Sequence, residues 1–160
     1  MILKSLDTKG TGRTALFAGS FNPFTRGHQD VVERGLAIFD RVVVAIGVNP
    51  LKPATDAVSA ANLAAVSELY RDDDRVDVTT FDCLAVDFAR RVGADVLLRG
   101  VRSVADFEYE RQMADVNRRL AGIDTVVLFT DPRYGSISSS MVRELQGYGV
   151  DVSPFLPEIK

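Results

Sequence analysis

The sequence predicts an α/β fold: one open sheet of five parallel strands with helices covering both faces. Short apolar runs alternate with stretches of helical spacing along most of the chain. The runs at 42–46 and 126–129 are continuously apolar instead of alternating, as a strand covered on both faces requires. Glycine-bearing and polar turns follow the strand ends, where ligands of such sheets bind.

Residues 1–12 mix Lys, Asp, Thr and Gly without a period and read as a loose leader, leaving 13–160 as a single domain. The predicted strands are 15–18, 42–46, 76–80, 96–98 and 126–129. Between and after them, helices are predicted over 27–39, 58–70, 84–92, 106–121 and 138–148. Val32, Leu36 and Phe39 carry the helical spacing of the first. No repeat or low-complexity linker divides the chain.

With 160 residues, 46% apolar and 26% charged, the chain matches one globular domain and excludes disordered or collagen-like classes. The single cysteine, Cys83, allows no intrachain disulfide and reads as a small buried filler. No span approaches the ~20 apolar residues of a membrane helix, and no signal-type segment stands at the start, so a cytoplasmic location is expected. A net charge of −3 argues against nucleic acid as a partner, since that mode needs clustered basic residues. Small anions remain possible substrates, because a few arginines make a locally positive pocket.

Three loops carry chemistry. After the first strand comes Gly19, Ser20, Phe21, Asn22, Pro23, Phe24, Thr25, Arg26, Gly27, His28, a strand-turn-helix passage. The unpaired N–H groups at that helix start attract phosphate, Gly27 permits close approach, and His28 adds a side-chain donor. The fourth strand runs into Arg99, Gly100, Val101 and Arg102, two planar cations suited to bidentate phosphate contacts. Asp106 and Glu110 follow on one helical face; for Asp106 an ordinary surface ion pair is expected. The fifth strand leads to Tyr134, Gly135, Ser136, Ile137, Ser138, Ser139 and Ser140. Helix capping explains one serine, and the others offer hydroxyls for a second phosphate. The run Asp72, Asp73, Asp74 reads as a solvated turn on the opposite rim.

Taken in this order, TRGH (25–28), RGVRSVADFEYE (99–110) and ISSS (137–140) resemble the nucleotidyltransferase superfamily, and RGVRSVADFEYE resembles its phosphopantetheine adenylyltransferase branch. The resemblance implies a Rossmann-like fold and transfer of the adenylyl group of ATP to 4'-phosphopantetheine, giving dephospho-coenzyme A and pyrophosphate. It also implies Mg2+ carried mainly by ATP phosphates, a homohexamer, and coenzyme A as a possible feedback ligand. By matching position, Ser20, Phe21, His28, Gly100, Val101, Arg102, Glu110 and residues 134–140 would contact ATP. Ser20, Lys52, Ala85, Arg99 and Asn117 would contact phosphopantetheine, and His28, Lys52 and Arg102 would be catalytic. The family's first loop usually has Thr and Asp where this chain has Ser20 and Asn22, and a charged run where 57–62 is nearly uncharged. Two alternatives stay open: a nucleotidyltransferase with another acceptor, such as nicotinamide mononucleotide, and a nucleotide-sensing module without turnover.

The chemistry suits these residues. A phosphate monoester, with a second pKa of about 6, attacks as a dianion and needs no general base. Positioning lowers such a barrier by roughly 7–11 kcal/mol, and each aimed donor contributes about 3–4 kcal/mol.

Overall fold

The computed structural model describes residues 12–49, 51 and 54–158; side chains are described from 57 onward within the second helix. Lys52 and nearly all of the leader lie outside the described residues. Five strands, β1 (Thr14–Gly19), β2 (Arg41–Gly47), β3 (Val76–Phe81), β4 (Val96–Val101) and β5 (Asp124–Phe129), alternate with five helices. These are α1 (Arg26–Gly35), α2 (Ala54–Leu69), α3 (Ala85–Val92), α4 (Val104–Ala121) and α5 (Ser139–Gly147). All strand pairs are parallel, in the order β3-β2-β1-β4-β5. The predicted five-stranded parallel sheet is thus present, but β5 is an edge strand whose residues are half-buried or exposed, so its apolar run is not covered on both faces as expected.

Period-two alternation distributes the strand residues between two cores. Ala15, Phe17, Val42, Val44, Ile46 and Leu98 pack with Val31 and Val32 of α1 and Val66 of α2. Leu16, Ala18, Val43, Ala45 and Leu97 pack with Val86, Ala89 and Val92 of α3 on the other face. Leu16, Val32, Ile46 and Leu98 are fully buried, each burial contributing about 1.5–3 kcal/mol. A smaller cluster of Ile137, Val142 and Val152 seats α5 against the C-terminal segment.

The strand order reverses between β1 and β4, and this seam differs at its two ends. At the amino ends the Thr14 amide donates to the Asp95 carboxylate at 2.7 Å, and the Asp95 amide donates to the Thr14 carbonyl at 2.8 Å. Ladder pairing then joins Ala15 to Val96 and Leu16 to Leu97. Beyond that the seam opens, whereas β1 stays paired with β2 from Thr14 to Gly19.

Several boundaries differ from expectation for local reasons. α1 ends at Gly35 because the next turn tightens: the Ala37 and Ile38 amides donate to the Arg34 and Gly35 carbonyls at 3.2 and 2.9 Å. Phe39 is nonetheless buried. α4 begins at Val104, two residues early, because the Ser103 hydroxyl accepts from the Asp106 amide at 3.1 Å and caps it. β4 runs on to Val101, so Arg99 and Gly100 belong to the strand itself. Cys83 is only half-buried, not a buried filler, since it sits in the bend before α3. Asp73 is tied to Arg75 in the turn before β3, at the rim away from the open seam. No helix among the described residues is long and apolar enough to cross a membrane.

Candidate active site

Two hollows flank the open end of the β1–β4 seam. The first, about 290 Å³, is lined by Ser20, Phe21, Thr25, Gly27, His28, Arg99, Gly100, Arg102, Thr130, Tyr134 and the run 137–140. The second, about 310 Å³, is lined by Phe81, Leu84, Ala85, Leu97, Tyr109, Glu110, Met113, Asn117, Leu120 and Thr125. Ala18, Gly19 and Arg99 border both, so they form the wall between the two spaces.

The first hollow is built for anions. Thr25 caps α1, and His28 occupies the third helical position, where a capping box usually carries Glu or Gln. The Thr25 hydroxyl accepts from the His28 amide at 3.4 Å, and the Thr25 amide donates to His28 Nδ1 at 3.0 Å. An imidazole nitrogen that accepts is unprotonated, so in the neutral ring the proton sits on Nε2, the remaining donor. Burial among aromatic rings, with Arg99 and Arg102 nearby, lowers the His28 pKa from 6.5 to about 4. The ring centroid lies 5.0 Å from Phe21 and 5.3 Å from Phe24.

Phe21 takes a left-handed backbone, φ 44°, which is costly for a bulky residue. Its ring packs 4.9 Å from Phe17, directly over Gly19, where an added Cβ would stand 3.0 Å from the ring. Gly100 is likewise dictated by packing: a Cβ there would fall 2.8 Å from Cγ2 of Val31, so α1 rests on β4 at this point.

A second helix start faces the same hollow. The Ser138 hydroxyl caps α5, accepting from the Met141 amide at 3.1 Å. Ser139 donates to the Pro23 carbonyl at 2.8 Å, Arg143 donates to the Asn22 carbonyl and to Ser140 Oγ, and α5 is thereby tied to the first loop. Each serine of the triplet has a separate partner. Two helix starts and two guanidinium groups therefore converge where the sequence placed a phosphate-binding region.

Of the residues expected to meet ATP, Ser20, Phe21, His28, Gly100, Arg102, Tyr134, Ile137, Ser138, Ser139 and Ser140 line the first hollow. Gly135 and Ser136 lie in the loop between lining residues, and buried Val101 borders a shallow surface depression beside Phe107 and Phe129. Glu110 lies in the second hollow, where both its oxygens receive Arg99, at 2.9 Å from Nε and 2.7 Å from Nη2. Arg102 pairs with Asp106 at 3.2 Å, the surface pair expected of that carboxylate. Ala85, Arg99 and Asn117, expected on the acceptor side, line the second hollow together, while Ser20 borders the first.

Sequence reading named Thr25 only within TRGH, and passed over the roles of Thr130 and Arg143 and the apolar wall of the second hollow. Tyr109, Met113, Val116 and Leu120 recur at helical spacing on α4, a stripe that marks a face turned toward something apolar. Phe81 and Leu84 carry no helical spacing, because Phe81 ends β3 and Leu84 follows the bend after it.

The cytidylyltransferase-like family profile matches residues 16–145. The chain is 54% identical over 144 residues to a phosphopantetheine adenylyltransferase of Porphyromonas gingivalis, covering 90% of this chain and 94% of that protein. It is 51% identical over 146 residues to the Phocaeicola vulgatus protein of the same name, covering 91% and 96%. Among solved structures it is similar to a bifunctional NMN adenylyltransferase/ADP ribose pyrophosphatase of Francisella tularensis, with TM-score 0.64 and 12% identity. That match covers 91% of this chain and 44% of the longer protein. A putative nicotinate-nucleotide adenylyltransferase of Vibrio parahaemolyticus matches with TM-score 0.56 and 17% identity over 91% of this chain and 94% of its own. The structural likenesses bear on the fold, which is Rossmann-like, and the sequence likenesses on descent: the chain belongs to the phosphopantetheine adenylyltransferase family of nucleotidyltransferases.

Proposed function

We propose that this protein transfers the adenylyl group of ATP to 4'-phosphopantetheine, releasing dephospho-coenzyme A and pyrophosphate. One observation carries the assignment: a cation-lined hollow and an apolar hollow meet at a single arginine, Arg99, where the open seam of the sheet joins them. A triphosphate suits the first space. A phosphate bearing a long, largely aliphatic amide arm suits the second, with its phosphate at Arg99 and its arm along Leu84, Met113 and Leu120. Nicotinamide mononucleotide, charged and compact, matches those apolar walls less well.

In this reading the acceptor phosphate oxygen attacks the α-phosphorus of ATP in line. A P–O bond forms to the acceptor, the bond to the bridging oxygen breaks, and pyrophosphate leaves with the electron pair. No enzyme-bound covalent intermediate is involved. Nε2–H of His28, Arg102 and the α1 and α5 helix starts meet the growing negative charge, and Ser20 and residues 134–140 hold the nucleotide. Arg99, with Ala85 and Asn117, holds the acceptor. Lys52 belongs to the proposed acceptor contacts through the family resemblance.

No carboxylate lines the first hollow among the described residues, and no group of three His, Cys, Asp or Glu is placed to hold a metal. These residues do not form a cage for magnesium, which would enter with the triphosphate oxygens. The assembly proposed is a homohexamer in the cytoplasm, with coenzyme A as a feedback ligand. Exposed Val104 (81%), Phe129 (68%) and Phe107 (40%) support burial of that face between copies.

Purified protein given ATP, magnesium and 4'-phosphopantetheine should yield equimolar dephospho-coenzyme A and pyrophosphate. Pyrophosphate release with nicotinamide mononucleotide but not phosphopantetheine would overturn the acceptor assignment. ATP binding with no turnover on any acceptor would indicate a sensing module.

A further inference from the structure

Arg99 is the charged side chain common to both hollows, and its orientation is fixed before any ligand arrives. Its Nε and Nη2 donate to the two oxygens of Glu110, at 2.9 and 2.7 Å, and Nη1 donates to the Ala18 carbonyl. Glu110 is the one buried residue of α4, with 8% relative exposure. The guanidinium therefore bridges three elements, β4, β1 and α4, across the part of the seam where the β1–β4 ladder has stopped.

A guanidinium carries five N–H donors. Three are used by Glu110 and Ala18, which leaves one N–H on each terminal nitrogen, the pair that grips two oxygens of one phosphate. Holding the other side of the fork removes the rotational freedom a free arginine would lose on binding.

We infer that Glu110 is the positioning residue of the acceptor-phosphate site: it acts through Arg99, on the acceptor side, and does not touch ATP. This rests on the proposed substrate pair, in which Arg99 holds the acceptor phosphate. Charge and orientation pull in opposite directions here, which makes the effect readable. Removing Glu110 leaves Arg99 with an uncompensated positive charge, which alone would tighten phosphate binding. Removing it also frees the fork, which weakens bidentate binding and misplaces the attacking oxygen.

The test is steady-state kinetics of Glu110→Ala and the milder Glu110→Gln, each checked for an unchanged melting transition. If Glu110→Ala fails to fold, Glu110→Gln carries the test. The expected result for Glu110→Ala is a KM for 4'-phosphopantetheine raised about tenfold or more, with a smaller rise for Glu110→Gln. KM for ATP should stay within about twofold of wild type. A raised KM for ATP with an unchanged acceptor KM would assign Glu110 to the nucleotide and overturn the inference. So would an acceptor KM that falls or stays the same.

A second measurement needs no turnover. In ¹⁵N-arginine protein the Arg99 Nε–H resonance, assigned with Arg99→Lys, should be sharp and slow to exchange in the wild type and lost in Glu110→Ala. Inorganic phosphate should shift it in the wild type. If the wild type does not turn over phosphopantetheine but this resonance still depends on Glu110 and responds to phosphate, the substrate assignment falls and the positioning role stands. A resonance unaffected by the substitution overturns the positioning role whatever the substrate.

Discussion

The two hollows share a wall and differ in almost everything else. The first is rimmed by imidazole, guanidinium, hydroxyls and two helix starts; the second is rimmed by Leu84, Met113, Leu120 and Phe81, with the Arg99–Glu110 ion pair at its edge. The same topological reversal makes both. β1 and β4 are pinned together at Thr14 and Asp95 and part above Leu16 and Leu97, so the α1–α5 side and the α3–α4 side each gain a space at the carboxyl ends. The lesson is that one parting seam can offer a charged space and an aliphatic one side by side, with Arg99 bordering both.

The largest effect should come from the polar side. In the proposed mechanism His28→Ala removes a donor aimed where charge develops, so kcat should fall by about 10²–10³ with little change in either KM. A comparable loss in KM would mean that His28 only binds. On the apolar side, Met113→Glu sets a carboxylate among aliphatic walls. Acceptor KM should rise about tenfold while ATP KM stays unchanged, and an effect on ATP would show that the spaces are not separate.

Acid sharpens the contrast between the imidazole and the substrate. Folded His28 titrates at about 4 instead of 6.5, so between those values the unfolded chain binds the extra proton and stability drops as pH falls. The slope from this group is at most about 1.4 kcal/mol per pH unit, absent above 6.5 and in His28→Gln, as urea titrations at pH 7.5, 6 and 5 would measure. In kcat/KM the acid limb should follow the acceptor phosphate, near pH 6, and persist in His28→Gln. The smallest effect concerns Thr125, whose hydroxyl is buried without a partner at the edge of the second hollow. Thr125→Val keeps the shape and should raise stability by up to about 1 kcal/mol in chemical denaturation.

Much of this was legible in the residues. Continuous apolar runs at 42–46 and 126–129 announced parallel strands, the first buried as expected and the second a half-exposed edge strand, while the glycine-histidine helix entry and the serine run were read as anion sites. The roles of single residues were less legible. Gly100 carried a nucleotide contact by family likeness, and its packing reason is Val31 of α1, 69 positions earlier in the chain. Glu110 carried a nucleotide role by family likeness, yet its carboxylate is engaged by Arg99 in the other hollow. The apolar wall of that hollow went unnamed because its residues come from the end of β3, from the bend after it and from one face of a half-exposed helix.

The sequence by itself determined the secondary elements, their parallel pairing and the polarity of each loop, since these follow from local periodicity and from what each side chain can do in water. Only the tertiary structure decided where the seam opens, which tautomer His28 presents, and that Arg99 stands between two spaces with Glu110 behind it. Those facts depend on contacts between residues far apart in the chain or on the exact lay of one turn, and hydrogen-bond direction has no signature in spacing alone.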